Sequence, residues 1–325
     1  MAQVQTVRGP VDTSGLGTTL MHEHVFVLNT EMMENYPEEW GDEAERVADA
    51  VAKLTELKGR GVDTIVDPTV IGLGRYIPRI QDVNQGVDIN IVAATGLYTY
   101  NDLPFWFRCR FPGTGKDGGD PMADLFVHDI TEGIAGTGVR AGILKCATEE
   151  EGLTPGVERV LRAVARAHRA TGVPVTTHTH ARTCRGRDQQ RVFKEEGVDL
   201  ERVVIGHSGD TTDLDYLREL MDNGSTIGMD RFGIYAEVTF EERVGTVARL
   251  CEMGYADRMV LSQDSSCFID WFSEEARAAV LPKWTYLHVI DDVVPALRER
   301  SVTDAQVQQL LVDNPRRFFE RNGAY

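Results

Sequence analysis

The chain has 325 residues, 42% of them hydrophobic, which is enough for one large core or two smaller ones. Its net charge of −17 argues against nucleic-acid binding through a basic face. No run of about 18 apolar residues marks a membrane span, and Met1 to Pro10 lacks an apolar signal core, so a cytoplasmic protein is expected. The five cysteines are odd in number and show no C-x-x-C spacing, which speaks against a disulfide framework or a cysteine-based zinc knuckle.

Thr18 to His24 reads as a first strand, ending in His22-Glu23-His24. Residues i and i+2 of a strand face the same way, so the two imidazoles aim at one point if the strand persists through them. A polar connection follows over Glu31 to Gly41. Glu43 to Leu57 carries Val47, Val51 and Leu54 at helical spacing. Val62 to Val66 is a second strand, Tyr76 to Val83 a helix, and Ile89 to Ala94 a third strand. The segment 101 to 121, with Phe105, Trp106, Phe107 and Phe111, is long enough to be a lid or binding loop. Pro121 to Gly133 is helical, and Ala141 to Leu144 is a fourth strand ending at Lys145.

Val157 to Ala170 is an amphipathic helix with the stripe Val157, Val160, Leu161, Val164 and Ala167. Val173 to Thr177 is a fifth strand, ending at His178-Thr179-His180, and Gln189 to Glu196 is a helix. Val203 to Ile205 leads to His207, Thr212 to Met221 is helical, and Ser225 to Met229 leads to Asp230-Arg231. Phe240 to Met253 is a helix, and Arg258 to Leu261 is an eighth strand before Asp264. A long loop with helical parts then runs to Arg298. Val302 to Leu311 and Asn314 to Phe319 close the chain as short helices, with Asn314 as an N-cap before Pro315.

Eight Val- and Ile-rich runs without clean alternation are strands buried on both faces. Helices between most of them predict an α/β fold of the (β/α)8 TIM-barrel kind, as one domain over 1–325. No G-x-G-x-x-G follows the first strand, which counts against a dinucleotide-binding fold. A barrel places its chemistry at the C-terminal strand ends. His22, His24, Lys145, His178, His207 and Asp264 all fall there.

Four histidines and an aspartate exceed the needs of one tetrahedral zinc. Two neighbouring divalent ions are the alternative. His22, His24 and Asp264 are assigned to one ion, and His178 and His207 to the other. Two histidines underfill a site, and two dications repel, so an anion should bridge them. Lys145 is placed to do this as a carbamate, formed from its neutral amine and CO2. The plainer reading is a strand-end lysine whose charge reaches solvent. His180 is assigned to the loop after strand five. His128, His168 and His288 are assigned to helix surfaces or the core rim.

Six stretches taken together resemble the phosphotriesterase-like lactonases of the amidohydrolase superfamily. They are Gly17-Thr18-Thr19-Leu20-Met21-His22-Glu23-His24, Gly142-Ile143-Leu144-Lys145, Pro174-Val175-Thr176-Thr177-His178-Thr179, Ile205-Gly206-His207, Gly228-Met229-Asp230-Arg231-Phe232-Gly233 and Leu261-Ser262-Gln263-Asp264. The nearest branch opens N-acyl-homoserine lactones. The resemblance implies two divalent ions, zinc first and otherwise cobalt, manganese or iron, bridged by N6-carboxylated Lys145 and a hydroxide. It implies attack on the lactone carbonyl with Asp264 as proton acceptor, Tyr98 and Arg231 beside the substrate, weak triesterase activity and a homodimer. Many members carry histidine where this chain has Gln263. Candidates for an acyl channel are Tyr98, Tyr100, Phe105, Trp106, Cys267, Phe268 and Trp271. The aromatics of 105 to 111 suit a dimer interface equally. A primary phosphotriesterase or carboxylesterase, an enzyme for cyclic amides, and a non-catalytic metal-binding barrel are the alternative readings.

Overall fold

The computed structural model describes residues 2–321 and 323–325. Its centre is an eight-stranded parallel sheet: β1 (Thr19–Leu20), β2 (Thr64–Asp67), β3 (Asn90–Gly96), β4 (Ile143–Thr148), β5 (Val175–Thr179), β6 (Val203–Ile205), β7 (Thr226–Met229) and β8 (Met259–Leu261). Each strand pairs with the next in sequence. The sheet closes where Met21 N donates to Leu261 O at 3.5 Å and His22 N donates to Ser262 Oγ at 2.9 Å. The strands are buried throughout, apart from Asn90 at the start of β3, as expected for a sheet covered on both faces.

The surrounding helices are α1 (Glu43–Gly59), α2 (Ile77–Gly86), α3 (Pro121–Thr131), α4 (Pro155–Thr171), α5 (Arg185–Glu195), α6 (Leu214–Asp222), α7 (Phe240–Glu252) and α8 (Val294–Glu299). Their ends follow local chemistry. Asp42 caps α1 by accepting from Ala44 N and Glu45 N, and Thr239 forms a capping box with Glu242 at α7. Thr154 caps α4, whose stripe of Val157, Val160, Leu161, Val164 and Ala167 is buried against the barrel, and left-handed Gly172 ends it. Among the described residues no helix is long and apolar enough to cross a membrane, and all five cysteines are free.

The barrel and its helices match the sequence expectation, with corrections at the strand ends. The first strand does not run to His24. β1 stops at Leu20, and a separate strand, His24–Val27, pairs in parallel with Ser266–Ile269 above the barrel. The break lets Glu23 turn inward, its N–H donating to Val66 O at 2.9 Å. Lys145 and His178 lie inside β4 and β5 rather than after them. Within the expected connections lie short helices at Thr30–Asn35 and Phe105–Arg108. An N-terminal hairpin, Gln3–Thr6 with Gly9–Asp12, is a further element. Asn314 is not an N-cap: the helix runs through it from a π turn at Gln309–Asp313. Its Nδ2 instead donates to Ala256 O and Met259 O, fastening the tail beneath β8.

Candidate metal centre

Six side chains converge at the C-terminal mouth of the barrel. Asp264 Oδ1 lies 3.2 Å from His24 Nε2 and 3.6 Å from His22 Nε2. Its Oδ2 lies 3.7 Å from His207 Nε2. Lys145 Nζ is 3.0 Å from His22 Nε2. The His207 ring centroid is 4.6 Å from that of His22 and 4.5 Å from that of His178. The ligand atoms of His22, His24 and Asp264 fall within 4.8 Å of one another, as a metal site requires. Strands distant in sequence thus deliver all six expected ligands to one place.

The protonation chemistry of the donors suits a cation. Burial, with the Lys145 ammonium adding to it, lowers the His22 pKa to about 3 and leaves a neutral donor. Burial and the neighbouring His207 lower His178 to about 3 in the same way. Burial lowers Lys145 to about 8, toward the neutral amine that carbamate formation needs. Burial opposes the charge on Asp264, but His207, His22 and His24 overcome it and hold the group well below the carboxylate range. Burial also opposes the charge on His24, yet Asp264 and Asp67 outweigh it and raise the group to about 9. His22 and His178, kept neutral beside the anionic Asp264, are ready donors for a divalent metal, and His24 would give up its proton on binding one.

Each histidine is held from behind, by groups that the sequence reading leaves unassigned. Asp230 serves two of them: Oδ2 is 3.1 Å from His22 Nδ1, and Oδ1 is 3.0 Å from His207 Nδ1. Both rings therefore turn Nε2 toward Asp264. Two glycines make room for this carboxylate. A Cβ on Gly228 would lie 2.3 Å from Asp230 Oδ2, and one on Gly206 3.2 Å from the same oxygen. Thr69 Oγ1 donates to Asp67 Oδ1 at 2.5 Å and so accepts from His24 Nδ1 at 2.7 Å. Glu149 Oε1 is 2.6 Å from His178 Nε2. Glu23, fully buried, accepts from Ser262 Oγ, Gln263 N and Ser265 N, which flank Asp264. Burial still raises its pKa to about 8. This brace holds Asp264 in a left-handed conformation, φ +54°. The signal for Asp230 is its place after β7, where a barrel puts functional groups. Glu149 and Thr69 follow their strands in the same way.

The site opens into a cavity lined by Tyr98, Arg231, Ile234, Ile269, Trp271, Phe272, Leu281 and Trp284. Arg231 bridges Asp264 Oδ2 (3.3 Å from Nε) and Asp210 Oδ2 (2.8 Å from Nη1), and buried Arg243 holds Asp210 Oδ1 at 2.8 Å. The Tyr98 hydroxyl is in contact with that of Tyr100 and lies 3.3 Å from His178 Nδ1. The Tyr100 ring sits 5.3 Å from His178.

Four expected channel residues lie elsewhere. Cys267 is fully buried against the Tyr286 hydroxyl, because the strand at Ser266–Ile269 turns it toward the core. Phe268 packs edge-on against Trp40 and lines a different cavity. Phe105 and Trp106 are exposed on the short helix after β3, outside the cavity. His180 is outside the ligand group, with Nδ1 2.7 Å from Thr183 Oγ1. His128 is exposed, whereas His168 and His288 are buried. Gln263 ties two backbone segments together, since its Nε2 donates to Tyr286 O at 2.5 Å and its Oε1 accepts from Val289 N at 2.8 Å. It thereby anchors the segment whose Tyr286 hydroxyl bonds to His24 O.

A family model described as "Phosphotriesterase family" matches residues 2–319. The chain is 62% identical over 325 residues, all of both chains, to a "Phosphotriesterase homology protein" of Mycobacterium tuberculosis. It is 39% identical over 311 residues to an "Aryldialkylphosphatase" of Saccharolobus solfataricus, covering 95% of this chain and 96% of that one. A solved structure titled "Structure of the phosphotriesterase from Mycobacterium tuberculosis" superposes with a TM-score of 0.97 at 62% identity, covering 99% of this chain and 100% of that one.

Proposed function

Because the chain belongs to the phosphotriesterase family, we propose that this hydrolase opens N-acyl-homoserine lactones and hydrolyses organophosphate triesters weakly. The observation that carries the substrate class is the cavity. Its polar lining is the ligand set with Tyr98, Arg231 and Ser266, while Ile234, Ile269, Trp271, Phe272 and Leu281 supply an apolar part. A polar ring with an apolar tail matches that division.

His22, His24 and Asp264 would hold an inner ion, His178 and His207 an outer one, with carboxylated Lys145 between. Zinc is the first choice by donor set, with cobalt, manganese and iron as alternatives. When bound, such a pair supplies a hydroxide at neutral pH and polarises a carbonyl or phosphoryl oxygen. The chain's own groups do the rest. The Tyr98 hydroxyl donates to the oxyanion that develops at the lactone carbonyl. Asp264 accepts the nucleophile's proton and returns it to the ring oxygen as the C–O bond breaks, giving an N-acyl-homoserine. Arg231, 3.3 Å from Asp264 Oδ2, aims that carboxylate.

The 39% identical aryldialkylphosphatase favours a second reading, in which triester hydrolysis is the main activity on the same centre. A panel separates the two: metal-replete turnover on short- to long-chain homoserine lactones, with paraoxon and an aryl ester beside them. Efficient opening of long-chain lactones with weak triester turnover is expected. Dominant triester or ester turnover would replace the substrate assignment.

A further inference from the structure

We infer that Glu149 is the positioning residue for the outer half of the metal centre, setting the tautomer and direction of His178. This rests on the two-ion reading above. An ionised carboxylate only accepts hydrogen bonds. With Glu149 Oε1 2.6 Å from His178 Nε2, the ring proton sits on Nε2 and the lone pair on Nδ1. Nδ1 is the nitrogen near the Tyr98 hydroxyl, on the cavity side. His178 thus offers the opposite nitrogen from His22 and His207, whose Nδ1 atoms are both held by Asp230. Without Glu149 the neutral ring can carry its proton on Nδ1, where it would point a hydrogen at the ion.

Local geometry makes Glu149 a fixed group. It follows the last residue of β4, and β4 pairs with β5 so that Ala147 faces His178 and Thr148 faces Thr179. One strand therefore delivers Lys145 to the centre of the site and, four residues on, a carboxylate to the outer histidine. Glu150 N donates to Glu149 Oε2 at 3.0 Å and fixes the second oxygen. Arg185 Nη2, 2.7 Å from Glu150 O, ties the loop to the start of α5. Partners of this kind set ring orientation and donor strength for metal-bound histidines.

The test is a cobalt(II) titration of the metal-free protein with bicarbonate present, read by visible absorption and equilibrium dialysis. Wild type, Glu149→Ala and Glu149→Gln are compared, and each metal-free protein is also melted. Wild type is expected to take two ions per chain. In Glu149→Ala the second ion should bind about 10- to 100-fold more weakly, with the first ion and the metal-free melting temperature unchanged. Glu149→Gln keeps an acceptor oxygen and should stay near wild type. Two tightly bound ions in Glu149→Ala would overturn the inference while leaving the two-ion reading intact. Parallel weakening of both ions together with a lower melting temperature would overturn it in favour of a structural role. A single ion in wild type would sink the two-ion reading, and this inference with it.

Discussion

His22 and His178 are equally hidden from solvent, at 1% and 2% exposure, yet they are held by different kinds of neighbour. His22 leans on Asp230, itself 1% exposed and shared with His207. His178 leans on Glu149, whose side chain is 20% exposed at the rim. The inner half is braced further by Thr69 and Asp67 behind His24 and by Glu23 beneath Asp264. Its parts come from β1, β2, β7 and β8, so barrel closure itself sets their geometry. The outer half shares Asp230 through His207 and otherwise depends on the loops after β3 and β4, through Tyr98 and Glu149. A protein built this way can vary its substrate at the outer half while the inner half stays fixed.

The strongest way to break the inner half is Asp264→Asn. The amide cannot take a proton at neutral pH, so turnover on the best substrate should fall by about 10²- to 10⁴-fold. The circular dichroism spectrum should stay native. Near-normal turnover would remove Asp264 from the proton-transfer role. Asp230→Ala comes next, because it releases His22 and His207 together. Both ions should then weaken by about 10- to 100-fold in the same cobalt titration. That parallel loss is the counterpart of the selective loss expected for Glu149→Ala. Selective loss of one ion in Asp230→Ala would mean that the two halves are not divided as described.

This division also marks what the sequence reveals. The residues that converge at the barrel mouth are legible because a barrel puts them at strand ends and because imidazole, lysine and carboxylate are scarce there. His22, His24, Lys145, His178, His207 and Asp264 all announce themselves in that way. The eight strands are legible from their unbroken Val and Ile runs. The groups behind the ligands are not, since Thr69, Asp67 and Glu149 look like ordinary loop polar residues until the register of neighbouring strands places them. Glu23 is the sharpest case. A carboxylate between two histidines reads as an outward-facing residue of a continuous strand, but the strand breaks at Met21 and turns it into the core. The wall of the cavity is the least legible part. Cys267 and Phe268 sit in a segment whose strand pairing with His24–Val27 decides which side chains face in.

Gln263→Ala tests the joint between the two regions. The side chain is fully buried and bonds the backbone at Tyr286 and Val289. Its loss leaves Tyr286 O and Val289 N without that partner, which costs about 1 to 3 kcal/mol and should lower the melting temperature of the metal-free protein. Cobalt stoichiometry should remain two, since Asp264 is still braced by Glu23. An unchanged melting temperature would show that the segment over the site is anchored by other contacts.

The smallest expected effect lies on the outer wall, and there Trp271 and Phe268 make a pair. Three positions apart in sequence, they share the second cavity, but only Trp271 also reaches the first. Trp271 is 51% exposed and lines both cavities, whereas Phe268 is 5% exposed and packs against Trp40. Removing the Trp271 ring takes away part of the surface an acyl chain would cover. Trp271→Ala should therefore raise KM for long-chain lactones by about fivefold, equivalent to roughly 1 kcal/mol of apolar contact. Short-chain lactones should be handled as before, and kcat should hold for both, because no contact with the reacting atoms is lost. Phe268→Ala should instead lower the melting temperature with no dependence on chain length. A chain-length effect in Phe268→Ala and none in Trp271→Ala would place the tail in the second cavity, beside Met33 and Trp40, and redraw the outer half of the site.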